Sequence, residues 1–113
     1  ADTLMVSASL TAAQRGAGAV VKAVDLVMSQ DANSAFCCVR PPGHHAEHNK
    51  AMGFCIFNNV AVGVAHAIAQ YGLERVAIID FDAHHGNGTE DIFRGNEQVL
   101  LCSSFQHPFY PVD

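Results

Sequence analysis

The run Ile78-Ile79-Asp80-Phe81-Asp82-Ala83-His84-His85-Gly86-Asn87-Gly88 constrains this chain more than any other stretch, because an apolar segment ends abruptly in acids and imidazoles set among glycines. Such a run reads as a buried parallel strand, and open α/β sheets place their ligand sites beyond the carboxyl ends of their strands. Asp82 and His84, two positions apart, project to the same side of an extended backbone and suit one divalent cation. A second polar cluster, Pro41-Pro42-Gly43-His44-His45-Ala46-Glu47, supplies paired imidazoles of the kind that proton transfer needs. Together the two clusters point to metal-assisted hydrolysis.

The elements around these clusters alternate. Thr11 with Gln14 three residues on forms a capping box, and Ala13, Ala17, Val20, Val21, Val24 and Val27 or Met28 recur at helical spacing, which predicts a helix running to about Ser29. Residues 35–39 read as a short buried strand closed by Pro41-Pro42-Gly43. Asn58 or Asn59 caps a second helix ending near Tyr71 with Gly72 beyond it; its apolar content nearly all round predicts a buried helix. Residues 75–82 form the next strand, Thr89 caps a short helix with Glu90 and Asp91 at its positive end, and residues 99–103 form a third strand. After the first helix the order is thus strand, helix, strand, helix, strand. This predicts an α/β fold built on a doubly wound parallel sheet with right-handed crossovers.

Composition narrows the function classes. A net charge of -5 with only six Lys and Arg leaves no basic patch for direct nucleic-acid binding. No segment approaches the roughly 20 apolar residues of a membrane span, and no charged-then-apolar leader stands at the start. The expectation is a soluble, cytoplasmic protein, with the nucleus left open as a location and oligomerisation left open as well. The four cysteines, Cys37, Cys38, Cys55 and Cys102, lack any C-x-x-C spacing and read as reduced core thiols. The chain starts at Ala1 and stops at Pro111-Val112-Asp113, so residues 1–113 are expected to be one partial catalytic domain, cut on the C-terminal side and on the N-terminal side too.

Three stretches carry a family resemblance. Arg40-Pro41-Pro42-Gly43-His44-His45-Ala46, Gly53-Phe54-Cys55-Ile56-Phe57-Asn58-Asn59 and Asp80-Phe81-Asp82-Ala83-His84-His85-Gly86-Asn87-Gly88-Thr89 resemble successive motifs of zinc-dependent histone deacetylases and acetylpolyamine amidohydrolases. The Arg-Pro-Pro-Gly-His-His form with Asn87 is closer to the class II branch than to class I. The resemblance implies an arginase/deacetylase-like fold and assigns roles position by position. Asp82 and His84 match zinc ligands; His44 and His45 match the tandem histidines beside the attacking water, Asp80 the acid that orients the first and Asn87 the partner of the second. Gly53, Phe54 and Tyr110 match the channel that holds the acylated side chain. Asp80, Asp82, His84, Ser103 and Ser104 match one structural potassium site, and Phe93, Asn96 and Val99 a second. The family's third zinc ligand, an aspartate, and its oxyanion-stabilising tyrosine or histidine match nothing here; Asp113 stands outside any motif, so residues 1–113 alone are expected to be inactive.

The chemistry fits those assignments independently. Amide hydrolysis needs an activated water, a polarised carbonyl and a proton for the departing amine. Two imidazoles with different partners suit that task, because a carboxylate favours the charged form of an imidazole more than a neutral amide does. No serine or cysteine sits in a nucleophile-elbow sequence. The implied substrate is an acetylated protein or a small acetylated amine. Three alternatives remain: an arginase-like ureohydrolase, whose second metal wants a carboxylate where Gly86 stands; a non-catalytic acetyl-lysine or partner-binding module; and an assembly element of a larger complex. His48, His66 and His107 lack such motif company and read as ordinary solvated or capped residues, while His85, a strand-end neighbour of a ligand, is left open between a functional role and a purely structural hydrogen bond.

Overall fold

A computed structural model describes residues 1–112, and Asp113 lies outside the described residues. Helix α1 spans Ser9–Met28 and starts ahead of the capping box at Thr11. No side chain caps its first turn; the Ser9 hydroxyl accepts from the Val6 amide at 2.8 Å while the Ser9 amide donates back to the Val6 carbonyl at 3.0 Å. Thr11 and Gln14 are therefore left exposed on the first turns. Helix α2 spans Asn59–Tyr71, and here the sequence signals hold at both ends. The Asn58 Oδ1 accepts from the Ala61 amide at 3.1 Å, and Gly72 adopts the left-handed conformation, φ 62°, that ends a helix without a Cβ penalty.

The two helices pack through their smallest residues. Ala13, Gly16 and Ala17 are the buried positions of α1, and Ala61, Gly63, Val64 and Ala67 are among those of α2. A Cβ on Gly63 would overlap the Val20 side chain, so the backbones approach as closely as a missing methyl permits. Farther along, Asp25 on α1 latches the pair: its carboxylate takes the Tyr71 hydroxyl at 2.7 Å and the His66 ring at 2.6 Å. His66, which its sequence context marks as ordinary, thus bridges two helices. Helix α2 is not buried all round as its composition predicts. Helix α1 covers one side and α3 touches another, while Val60 and Val62 stay partly open to solvent.

Strand β1, Val76–Asp80, pairs in parallel with β2, Val99–Ser103, in the register Val76 to Val99 through Asp80 to Ser103. Helix α3, Asn87–Phe93, lies in the crossover between them. The class is α/β with a parallel sheet, as the alternation of elements predicts. Two details differ. Residues 35–39 form no ladder; Cys37 and Val39 line a cleft with Ile78 and Ile79 beside β1, while Phe36 is 91% exposed, so the segment gains neither pairing nor cover. The β1 run is buried on one face only, at Ile78, with Ile79 and Phe81 open to solvent. The cysteines are all free, but only Cys55 is a core thiol; Cys37 is half-buried and Cys38 and Cys102 are exposed.

The Asp25 latch has a testable pH signature. Its carboxyl is held below its ordinary 3.8, first by the His66 bond and then by the Tyr71 hydroxyl. A depressed folded-state pKa contributes stability that is present above the ordinary value and lost as pH falls through the folded one. Asp25→Ala is expected to lower the unfolding temperature at neutral pH, with the gap to the unmodified protein closing below pH 3.8. Melting curves across pH check this; no gap at neutral pH would show that the latch carries no stability, and a gap that stays constant into acid that the ionised carboxylate is not its source.

Candidate active site

The two histidine-bearing loops meet at the N-terminus of α3. The first helical N–H groups of any helix lack internal partners. Here the His44 carbonyl accepts from Gly88 at 3.0 Å and from Thr89 at 3.3 Å, so the first loop's main chain caps the helix that follows the second loop. This is why Thr89 is not the cap its sequence position suggests. It sits inside the first turn, 1% exposed, and its hydroxyl accepts from Asn58 Nδ2 at 3.1 Å. Asn58 Nδ2 also donates to the Ala46 carbonyl at 3.2 Å. One buried amide therefore ties together the start of α2, the first histidine loop and α3. A Cβ on Gly88 would run into the Ala46 carbonyl, which fixes glycine at that position.

Held this way, the imidazoles stand side by side, ring centroids 4.1 Å apart. His44 Nδ1 lies 2.8 Å from Asp80 Oδ2, and its Nε2 points toward Asp82 Oδ1 at 3.7 Å. A Cβ on Gly86 would come 2.5 Å from Asp80 Oδ2 and 3.0 Å from His44 Nδ1, so only glycine leaves that pair its space. His45 is buried, with Nδ1 2.9 Å from Asn87 Oδ1. Burial pushes its pKa below the ordinary 6.5, the neighbouring His44 and His84 rings push the same way, and the Asn87 bond opposes them. The two histidines thus have the unequal partners expected of them, a carboxylate for one and an amide for the other.

Asp82 and His84 lie beside this pair. Asp82 Oδ1 is 3.5 Å from His84 Nδ1, near the separation of about 3.3 Å between two ligands of one tetrahedral zinc. Among the described residues no group of three or more His, Cys, Asp and Glu side chains gathers as a complete ligand set. The donor types and spacing of this pair fit two positions of such an ion. The His84 ring is 6.2 Å from that of His45.

Of the three residues expected to line a channel, Gly53 and Tyr110 meet the His45 ring. The Gly53 backbone, φ 58°, lies so close to the His45 ring that any Cβ would overlap it. Phe54 follows at φ 65°, a conformation costly for a bulky side chain and found mostly where function requires it. Its ring is 68% exposed, and its amide donates to the Thr3 hydroxyl at 3.1 Å. Tyr110 sets its ring edge-on to His45 at 5.0 Å and to His84 at 6.0 Å. Its hydroxyl donates to Asp2 at 2.9 Å, and burial together with that bond pushes its pKa up to about 12.

The histone deacetylase domain model matches residues 1–113. The chain belongs to the histone deacetylase family. It is 44% identical over 118 residues to the type-2 histone deacetylase 1 of Dictyostelium discoideum, covering 97% of this chain and 8% of that protein. To the histone deacetylase-like amidohydrolase of Pseudomonas aeruginosa it is 44% identical over 99 residues, covering 88% of this chain and 26% of that protein. The crystal structure of the HDA15 HD domain superposes with a TM-score of 0.96 at 41% identity, over all of this chain and 33% of that one. The chain therefore spans a minor part of each of these deacetylase relatives.

The positions assigned to potassium sites fall in two places on the deacetylase chain. Asp80, Asp82, His84, Ser103 and Ser104 come together where the two strands end, with the Ser104 amide on the Asp80 carbonyl at 3.1 Å. Phe93, Asn96 and Val99 form consecutive turns from α3 into β2, Asn96 donating to Phe93 and Val99 to Asn96. His85 is a supporting residue, its Nε2 2.7 Å from Glu90 and its ring against Phe105. Sequence reasoning missed the shell around Asn87, whose Nδ2 donates to Glu47 at 3.1 Å and to the Met52 sulfur at 3.3 Å. The available signal was an acid two residues after His45.

Asn58 offers a direct stability test of this scaffold. Asn58→Ala removes a helix cap and leaves the Ala46 carbonyl and Thr89 hydroxyl without that partner, an expected loss of about 2–4 kcal/mol. Asn58→Asp keeps the acceptor for Ala61 but not the two donors, and is expected to fall between. Denaturant titration checks the order; equal loss in both variants would show that the two donors, and not the cap, carry the stability.

Proposed function

We propose that the protein containing this chain hydrolyses an acyl amide with the help of zinc, removing the acetyl group from acetyl-lysine or a related acetylated amine. The observation that carries the reading is the tandem imidazole pair with unequal partners, set beside an acid and a histidine spaced as two ligands of one ion. Family membership supports hydrolase chemistry, and the named relatives include both histone deacetylases and a deacetylase-like amidohydrolase.

Asp82 and His84 would hold the zinc, with a further ligand from outside residues 1–112; when bound, the ion polarises the acyl oxygen and makes water a better nucleophile. Everything else falls to the chain's own groups. Asp80 orients His44 through its Nδ1 and leaves Nε2 facing the Asp82 side. His45, buried and with its pKa lowered, is neutral at physiological pH and able to take a proton from water and return it to the departing nitrogen. Gly53 and Tyr110, which meet the His45 ring, and the exposed Phe54 next to Gly53 would flank the aliphatic stem of the substrate. Monovalent potassium at the strand ends around Asp80, Ser103 and Ser104 would hold the ligand-bearing loop in place.

In the protein with its complete catalytic domain, Asp82→Ala and His84→Ala are expected to lose both bound zinc and hydrolysis of an acetyl-lysine peptide. Stoichiometric zinc in either purified variant would overturn the ligand assignment. His45→Ala is expected to keep zinc while losing about 10²–10⁴-fold in turnover, the usual worth of a positioned proton carrier. Near-normal turnover in that variant would remove His45 from the mechanism.

A further inference from the structure

We propose that Glu47 is a positioning residue that fixes which ring nitrogen of His45 carries the proton, acting through the side-chain amide of Asn87. The inference rests on the reading of His45 as the base. An asparagine amide presents a donor at one end and an acceptor at the other, and nothing in the residue itself decides which end faces a neighbour. At Asn87 one end meets His45 Nδ1 at 2.9 Å, and the other meets Glu47 Oε1 at 3.1 Å and the Met52 sulfur at 3.3 Å. A carboxylate and a thioether offer only acceptors, so the end that faces them is the NH₂ group. The oxygen must then face His45, whose Nδ1 is obliged to donate.

The consequence falls on the opposite side of the ring. A neutral imidazole with its proton on Nδ1 has its lone pair on Nε2, the nitrogen that its Asn87 bond leaves free to accept a proton. If the amide turned over, its NH₂ would face Nδ1, the proton would move to Nε2, and the base would present a donor where it needs an acceptor. Asn87 is 8% exposed and Glu47 half-buried, so water competes little for the inner end of this chain of bonds. An aspartate at position 87 would need no such control, since both its ends accept. The neutral amide makes the acid at 47 necessary.

Glu47→Gln tests this, because it preserves size and hydrogen bonding but pairs with an amide either way round. In the complete enzyme, kcat for an acetyl-lysine peptide is expected to fall about tenfold, a part of the roughly 10²–10⁴-fold a general base contributes, with KM changed less than about twofold. In an Asn87→Asp background the same change is expected to cause no fall, and a rise if the amide introduced at position 47 donates to the new carboxylate that Glu47 would repel. Long-range proton–nitrogen NMR on histidine-labelled protein reads the tautomer directly: the Nδ1–H form for His45 in the unmodified protein, a mixed signal in Glu47→Gln. Equal losses in both backgrounds, or an unchanged tautomer signal in Glu47→Gln, would overturn the proposal. If Glu47→Gln does not fold, an Nε2–H tautomer in the unmodified protein still overturns it. Failure to hydrolyse acetyl-lysine at all would sink the functional reading while leaving the tautomer measurement to decide this one.

Discussion

The His44 carbonyl is the hinge on which the site depends. By accepting from both Gly88 and Thr89 it closes the N-terminus of α3 and, in the same bonds, locks together two loops far apart in the chain. A side-chain cap on α3 would satisfy the helix but leave the loops independent. Using main chain from the neighbouring loop makes the helix start and the placement of His44 and His45 one event. The buried Asn58 amide reinforces it from below, since its two donors go to the Ala46 carbonyl and the Thr89 hydroxyl.

Close approach is the second theme. Gly53, Gly86 and Gly88 each lie where a Cβ would strike a functional group or its backbone: the His45 ring, the Asp80–His44 pair and the Ala46 carbonyl. These contacts leave no room for larger side chains, so they fix the imidazoles in place together with the long-range bonds to Asp80 and Asn87. Dense packing of small residues does for this site what large apolar residues do for an ordinary core.

The sequence made the chemistry legible because its signals are local: His44 and His45 are adjacent, Asp80, Asp82 and His84 share one strand end, and Asn58 and Gly72 bracket α2 at short range. What it hid was set by partners distant in the chain. Thr89 looks like a cap until His44 is known to take that role, and residues 35–39 look like a strand until no ladder reaches them. The burial of β1 and α2 was overestimated for a related reason, since apolar content reports what a segment can pack against and not what covers it. Glu47 and His66 were overlooked because their acceptors and donors, Asn87 and Asp25, lie 40 and 41 positions away.

Phe54 and Tyr110 have an unusual tether. The Phe54 amide donates to the Thr3 hydroxyl and the Tyr110 hydroxyl to the Asp2 carboxylate, so two neighbouring residues ahead of α1 hold the Phe54 main chain and the Tyr110 side chain, which are far apart in sequence. A substitution at Asp2 or Thr3 would therefore shift the surroundings of the His45 ring with every residue that touches it unchanged.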